Sequence, residues 1–200
     1  MSFNVEIIAV TPNALDVIEK AGRLCYNSQM NKETQDKFIA DKVKKGHESI
    51  LEHASVTFEI DGVSRALTHQ LVRHRIGCSY SQQSQRFVKS DNFDYVIPED
   101  IRSNSEIFSD YFNLMENIKS FYSKAVGKGI PAENARFMLP NATTTKIMLT
   151  MNFRALRHFI ELRADKHAQW EIREVAKEIL LLMCKDYKCC FDDLAEKYIF

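Results

Sequence analysis

Residues 55–75 read SVTFEIDGVSRALTHQLVRHR, and the change of period within them decides the fold class. Val56, Phe58 and Ile60 alternate with polar residues, the pattern of a half-buried strand, and Asp61-Gly62 is expected to close it. Ser64 then opens a helix that runs toward the triplet Arg73-His74-Arg75.

Toward the N-terminus, residues 3–10 alternate and are rich in Val and Ile, which predicts another strand. Pro12 suits a first helical turn, and Leu15, Ile18 and Leu24 carry a helix to about Cys25. A second helix is expected from about Glu33 to Lys45, with Gly46 as its C-terminal cap. On the other side of the opening stretch, residues 76–90 are rich in Gly, Ser and Gln and read as a loop with extended pieces. Pro98 to about Gly127 reads as a long helical region terminated by Gly127-Lys128-Gly129, and Pro131–Leu139 as a short helix stopped by Pro140. The β-branched run Thr143–Thr150 predicts a strand. Helices over 152–163 and 166–187 follow, Asp165 being a candidate cap for the second, and a short helix ends the chain. Neither repeats nor a linker interrupt this order, so residues 1–200 read as one α+β domain, a central sheet packed against several helices.

Bulk composition narrows the function classes. The chain has 27 basic and 27 acidic side chains, without the basic excess that a nucleic-acid binder usually shows. The opening residues MSFNVEIIAV lack a basic n-region and a long apolar core, so no signal peptide is expected. The longest unbroken apolar run, Ile179–Cys184, is far below a membrane span. Five cysteines, Cys25, Cys78, Cys184, Cys189 and Cys190, form no C-x-x-C pair and suit a reducing, cytoplasmic setting.

Charge is not spread evenly. Arginines number eleven against sixteen lysines, yet arginine dominates three polar clusters. The first runs from Gln70 through Arg73-His74-Arg75 to Ser84-Gln85-Arg86. The second is Arg136, ahead of Phe137-Met138-Leu139-Pro140, and the third joins Asn152-Phe153-Arg154 to His158, Arg163 and His167. A guanidinium is a fixed fork of donors suited to phosphate, serine hydroxyls add more donors, and Gln and Asn amides match the edges of a pyrimidine or flavin ring. A lone arginine is ordinarily half of a surface ion pair. The triplet resists that reading, because no acidic residue lies between Asp61 and Asp91.

Four segments, in order, carry a family resemblance. Arg73-His74-Arg75, a spacer, and Ser84-Gln85-Arg86-Phe87 resemble the Arg-His-Arg and Ser-x-Arg-Tyr signature of flavin-dependent thymidylate synthases. Gly46-His47-Glu48-Ser49-Ile50-Leu51-Glu52-His53 is similar to that family's upstream segment. Ala135-Arg136 through Pro140 is similar to its middle motif, and Asn152-Phe153-Arg154 through Ile172 to its C-terminal one. Together they span positions 46–172.

The resemblance implies the family's fold and the reductive methylation of dUMP to dTMP. FAD is its cofactor, and NADPH and 5,10-methylenetetrahydrofolate are its co-substrates. It places Ser49, Arg73, His74, Arg75, Gln82, Asn152, Arg154, His158, Leu162 and His167 at the FAD. It places Gln70, Arg73, Gln83, Ser84, Gln85, Arg86, Arg136 and Arg163 at the dUMP, with Arg163 as the catalytic residue that contacts the uracil ring and favours ionisation at N3. It also implies a homotetramer whose active sites are shared between subunits, with neither nucleic acid nor membrane as partner. The chain departs from the pattern at an eight-residue spacer before Ser84, at Ser81-Gln82 in place of Asn-Glu, at Phe87 for Tyr, and at His158 where Asn is often found.

Other readings stand beside this one. Cys78 among Arg73, His74 and Arg75 has the setting of a nucleophile, although the flavin-dependent family needs none. Ser84 has no acidic orienting partner nearby and reads as substrate-binding rather than nucleophilic. His47, Glu52 and His53 do not match a His-Glu-x-x-His spacing, so no metal site is expected. Trp170 and Leu180–Met183 read as core or subunit interface, and Cys189-Cys190 as packing of the last helices. A flavin- and nucleotide-binding relative without turnover is the alternative of a second class. A nucleic-acid binder using Arg73–Arg86 is a third, thinly supported by Tyr80 and Phe87 as stacking residues.

Overall fold

A computed structural model describes residues 3–25 and 27–200. Its strands are β1 (Asn4–Val10), β2 (Ser55–Ser64), β3 (Cys78–Gln82) and β4 (Thr144–Asn152), which form one antiparallel sheet in the order β1-β2-β4-β3. The helices are α1 (Ala14–Leu24), α2 (Gln35–Lys44), α3 (Arg65–Leu71), α4 (Glu99–Arg102), α5 (Ser105–Gly127), α6 (Ala132–Ala135), α7 (Phe153–Arg163), α8 (Trp170–Asp186) and α9 (Lys188–Tyr198). The α+β class expected from the sequence holds. By its internal contacts the chain divides into two compact units.

The larger unit comprises Val5–Ile60, Gln70–Tyr80 and Met148–Phe200. Val56, Phe58 and Ile60 of β2 and Leu149 and Met151 of β4 point into its core. The polar face keeps a bond between the hydroxyls of Thr57 and Thr150, 2.9 Å apart. Leu156, Phe159 and Ile160 of α7 are buried, as are Ile172, Val175, Ile179 and Met183 of α8 and Phe191 of α9. Each such side chain contributes about 1.5–3 kcal/mol on burial. Gln169 caps α8, its side-chain oxygen accepting from the amides of Glu171 (3.0 Å) and Ile172 (3.2 Å). The sequence reading gave that cap to Asp165. That carboxylate instead accepts from the His167 amide at 2.9 Å, within the turn that separates α7 from α8. Pro12, expected inside the first helix, precedes its cap residue Asn13. Gly46 adopts φ +76 after α2, as a C-terminal cap requires.

The smaller unit comprises Asp61–His69, Ser81–Ile147 and the residues up to Asn4. Here β2 continues two residues past Gly62, its expected end, because φ +78 at a residue without a Cβ lets the strand run on. Ser64 caps α3 as expected, its Oγ accepting from the Leu67 amide at 3.0 Å. The expected long helical region is α4 and α5, divided where Asn104 Oδ1 accepts from the Ile107 amide (3.2 Å) and starts a new helix. Met115 and Tyr122 on the inner face of α5 are buried, and the Tyr122 hydroxyl accepts from the Ser90 amide at 3.2 Å.

Candidate active site

In the larger unit, the chain leaves α3 through the triplet Arg73-His74-Arg75 and returns as β3. The Tyr80 hydroxyl holds this turn, lying 2.7 Å from the His74 carbonyl and 3.0 Å from that of Leu71. Arg73 and Arg75 stay exposed, and no acidic partner for either is found among the described residues. His74 turns inward, edge-on to Phe159 with ring centroids 5.2 Å apart. There it meets Arg163, the last residue of α7, whose Nε donates to His74 Nε2 at 3.0 Å. Arg163 also reaches the Gln70 carbonyl at 3.5 Å.

Burial and this neighbour together keep the imidazole neutral. Burial, then the neighbouring Arg163 and His158, lower His74 from its ordinary 6.5 to about 4. A neutral ring can accept from Arg163, and an imidazolium cannot. Burial and the repulsion of Arg73 lower Arg163 as well, although a guanidinium remains charged at physiological pH. Because the folded imidazole titrates below its unfolded value, its contribution to stability is complete above about pH 6.5 and declines as pH falls toward 4. Histidine ring NMR signals are expected to show His74 neutral at pH 5.5. A midpoint near 6.5 would mean that the Arg163 bond is not made in solution.

Along α7, Asn152 caps the helix, its Oδ1 accepting from the Ala155 amide at 2.8 Å, while its own amide donates to the Gly77 carbonyl at 3.1 Å. Gly77 has φ +69, and a Cβ there would come within 2.6 Å of Asn152 Nδ2. Gly77→Ala is therefore expected to cost at least about 1–2 kcal/mol from the left-handed backbone alone, read as a lowered melting temperature. An unchanged melt would show that the turn can relax. At the second residue of α7, Arg154 pairs with Glu52 of the 3-10 turn Glu48–His53, which also carries the exposed Ser49. His158 and Leu162 lie on the solvent side of α7. His167 folds onto Asp165, Nδ1 to Oδ1 2.8 Å, and bonds none of the other candidate residues.

The smaller unit holds the rest. Gln82 donates through Nε2 to Thr68 Oγ1 at 2.9 Å and to Thr145 Oγ1 at 3.4 Å. Gln83 pairs through its amide with the Lys146 carbonyl at 2.9 Å. Ser84 Oγ accepts from the Arg86 amide at 3.2 Å, an arrangement that orders the loop and offers the hydroxyl no base. Arg86 Nε meets Glu133 at 2.7 Å, and Arg136 Nε donates to the Glu133 carbonyl at 3.1 Å. Gln83, Ser84 and Gln85 line a cavity of about 180 Å³ together with Thr143–Thr145 and residues between Val88 and Asp94. Thus Gln70, Arg73 and Arg163 of the dUMP set lie in one unit, and Gln83, Ser84, Gln85, Arg86 and Arg136 in the other.

Cys78 is poorly placed for a nucleophile. Burial raises the Cys78 thiol above its ordinary range, and its Sγ lies 3.2 Å from the Ile76 carbonyl, neither of which favours a thiolate nucleophile. Among the described residues no three His, Cys, Asp or Glu side chains gather as a metal site would need, and no helix is long and apolar enough to cross a membrane.

The residues of the larger unit fit a flavin nucleotide. Arg73 and Arg75 offer cationic forks without acidic competitors among the described residues, and Gly77 lets backbone and Asn152 approach where a Cβ would intrude. The sequence reading did not single out Tyr80 as a brace, Glu52 as the partner of Arg154, Arg65, or Arg157. Only Arg157 left a periodic trace: with Phe153, Leu156 and Ile160 it occupies the inward face of α7.

Comparison with known proteins supplies the family. Residues 6–187 match the family described as thymidylate synthase complementing protein. The chain is 45% identical over 203 residues to the flavin-dependent thymidylate synthase of Nitratidesulfovibrio vulgaris, covering 91% of this chain and 82% of that one. It is 42% identical over 193 residues to the enzyme of that name from Pyrococcus furiosus (90% and 79% covered). With that from Geobacter sulfurreducens the identity is 45% over 189 residues (90% and 81% covered). On both grounds the chain belongs to the flavin-dependent thymidylate synthase family.

Proposed function

We propose that this chain converts dUMP to dTMP by reductive methylation, with FAD as cofactor and NADPH and 5,10-methylenetetrahydrofolate as co-substrates. When bound, FAD supplies the hydride that completes the methyl group. The chain's own residues bind and orient. Arg73, His74, Arg75, Ser49, Asn152 and Arg154 form the FAD site, joined by Gln82, His158, Leu162 and His167. Gln70, Arg73, Gln83, Ser84, Gln85, Arg86 and Arg136 hold dUMP. Arg163 sits at the uracil ring, where its charge favours the anion at N3. The reading extends to one functional domain over residues 1–200, and to a cytoplasmic homotetramer whose subunits share each active site.

The observation that carries the mechanism is the 3.0 Å bond from Arg163 to a neutral His74. It fixes one edge of the guanidinium without neutralising it, so the cation remains for a developing anion. A carboxylate in place of His74 would have cancelled that charge. The test is the visible spectrum of the purified chain, followed by anaerobic NADPH reduction of its flavin with and without dUMP. Bleaching promoted by dUMP, with dTMP formed once the folate is added, is the expected result. A protein that neither carries nor takes up FAD would overturn the reading. Strong, salt-dependent DNA affinity without a flavin spectrum would point instead to a nucleic-acid binder.

A further inference from the structure

Arg65 occupies the first position of α3, directly after the Ser64 cap. Several features make this a poor place for a cation. A helix N-terminus already carries partial positive charge. The guanidinium is partly desolvated, and Arg136 repels it, so its pKa is lowered by burial first and by Arg136 second. Among the described residues no carboxylate pairs with it. It is held instead by neutral oxygens: NH1 donates to the Gln83 carbonyl at 3.2 Å and reaches Thr145 Oγ1 at 3.5 Å, and NH2 donates to Gln85 Oε1 at 3.2 Å.

The acceptors explain the placement. Gln83 and Gln85 flank Ser84 on the segment proposed to bind dUMP, and one planar fork fixes both, one by backbone and the other by side chain. We propose that Arg65 is a positioning residue of the nucleotide site: it sets the Gln83–Gln85 segment for dUMP and keeps its own charge for the phosphate. This rests on the thymidylate synthase reading. A guanidinium held only by neutral oxygens keeps its charge for an arriving dianion, so Arg65 contributes mainly to the bound state.

The test compares wild type with Arg65→Gln and Arg65→Lys in the flavin-loaded protein. It measures KM and kcat for dUMP, flavin absorbance, and the melting temperature with and without dUMP. For Arg65→Gln, KM is expected to rise by about 10- to 100-fold, the range for lost charge-assisted hydrogen bonds. Its kcat is expected to stay within about threefold, flavin absorbance to be kept, and the unliganded melt to hold while stabilisation by dUMP is lost. Arg65→Lys keeps the charge but not the fork, so its KM should fall between the two. Gln85→Met provides a second route to the same contact. It should raise KM by itself, and its effect should be smaller in the Arg65→Gln background than in wild type, because the Arg65–Gln85 bond is common to both variants while Gln85 also serves dUMP directly. An unchanged KM in Arg65→Gln, or parallel losses of unliganded melt, flavin and kcat, would overturn the assignment. If wild type itself gains no stability from dUMP, the failure lies with the thymidylate synthase reading, and the Arg65 role falls with it.

Discussion

Replacing Arg163 with alanine is expected to lower the rate of dTMP formation by about 10²–10³, the usual effect of removing one preorganised donor aimed at developing charge, with flavin still bound. Arg163 ends α7, and its Nε is committed to His74 at 3.0 Å. The terminal nitrogens are far less committed, their one contact among the described residues being 3.5 Å to the Gln70 carbonyl. A donor group held by one edge loses little entropy when it meets developing charge, so its effect is expected in the transition state. Lysine is not expected to rescue the variant. A single ammonium cannot both bond the imidazole and present a planar pair of donors to the ring. Single-turnover formation of dTMP with prereduced flavin isolates this step from flavin reduction. If Arg163→Ala slowed only the reduction by NADPH and left that turnover intact, the uracil-facing role would be lost. If flavin came off as well, Arg163 would be part of the cofactor site instead.

Much of the fold was legible because period and capping are local. The alternation of Val56, Phe58 and Ile60 identified the core face of β2, and Ser64 identified the start of α3. Strand order was not legible: a period of two tells which face is buried but not which strand lies alongside, and β2 has β1 and β4 as neighbours. The α8 cap was misread because Asp is the stronger capping type, yet Asp165 is engaged by His167 and the longer Gln169 reaches the free amides. At the site, the unbalanced positive charge of residues 70–86 was visible in the sequence. The inward turn of His74 and its loss of basicity were not, since they come from Phe159 and Arg163, far along the chain. Arg65 escaped notice for the same reason: its meaning lies in acceptors at Gln83, Gln85 and Thr145.

The largest stability effect is expected from Asp193→Ala, about 3 kcal/mol or more, because it strips a partner from a buried charge. Arg157 is 3% exposed, yet it carries a full positive charge. Its NH1 and NH2 meet Asp193 at 2.7 and 2.6 Å, NH1 also reaches the Cys190 carbonyl at 2.6 Å, and Nε meets Glu48 at 2.9 Å. One side chain thus joins α7, α9 and the turn that carries Ser49. Removing Arg157 itself should be milder, since Glu48 and Asp193 both have access to water and can be solvated where they are. That asymmetry separates a buried ion network from ordinary packing, which would make the larger side chain the costlier loss. For a domain of this size, about 3 kcal/mol lowers the melting temperature by roughly 6–12 °C. The same network has a pH signature. Burial opposes ionisation of Asp193, but the Arg157 hydrogen bonds and charge prevail and hold its carboxyl below the ordinary range. Its stabilising contribution is therefore present above about pH 4 and is lost as pH falls through the folded value. Calorimetry of wild type and Asp193→Ala should show melting temperatures that differ most at neutral pH and converge in acid. A constant gap would mean that the carboxylate is not the group that balances Arg157.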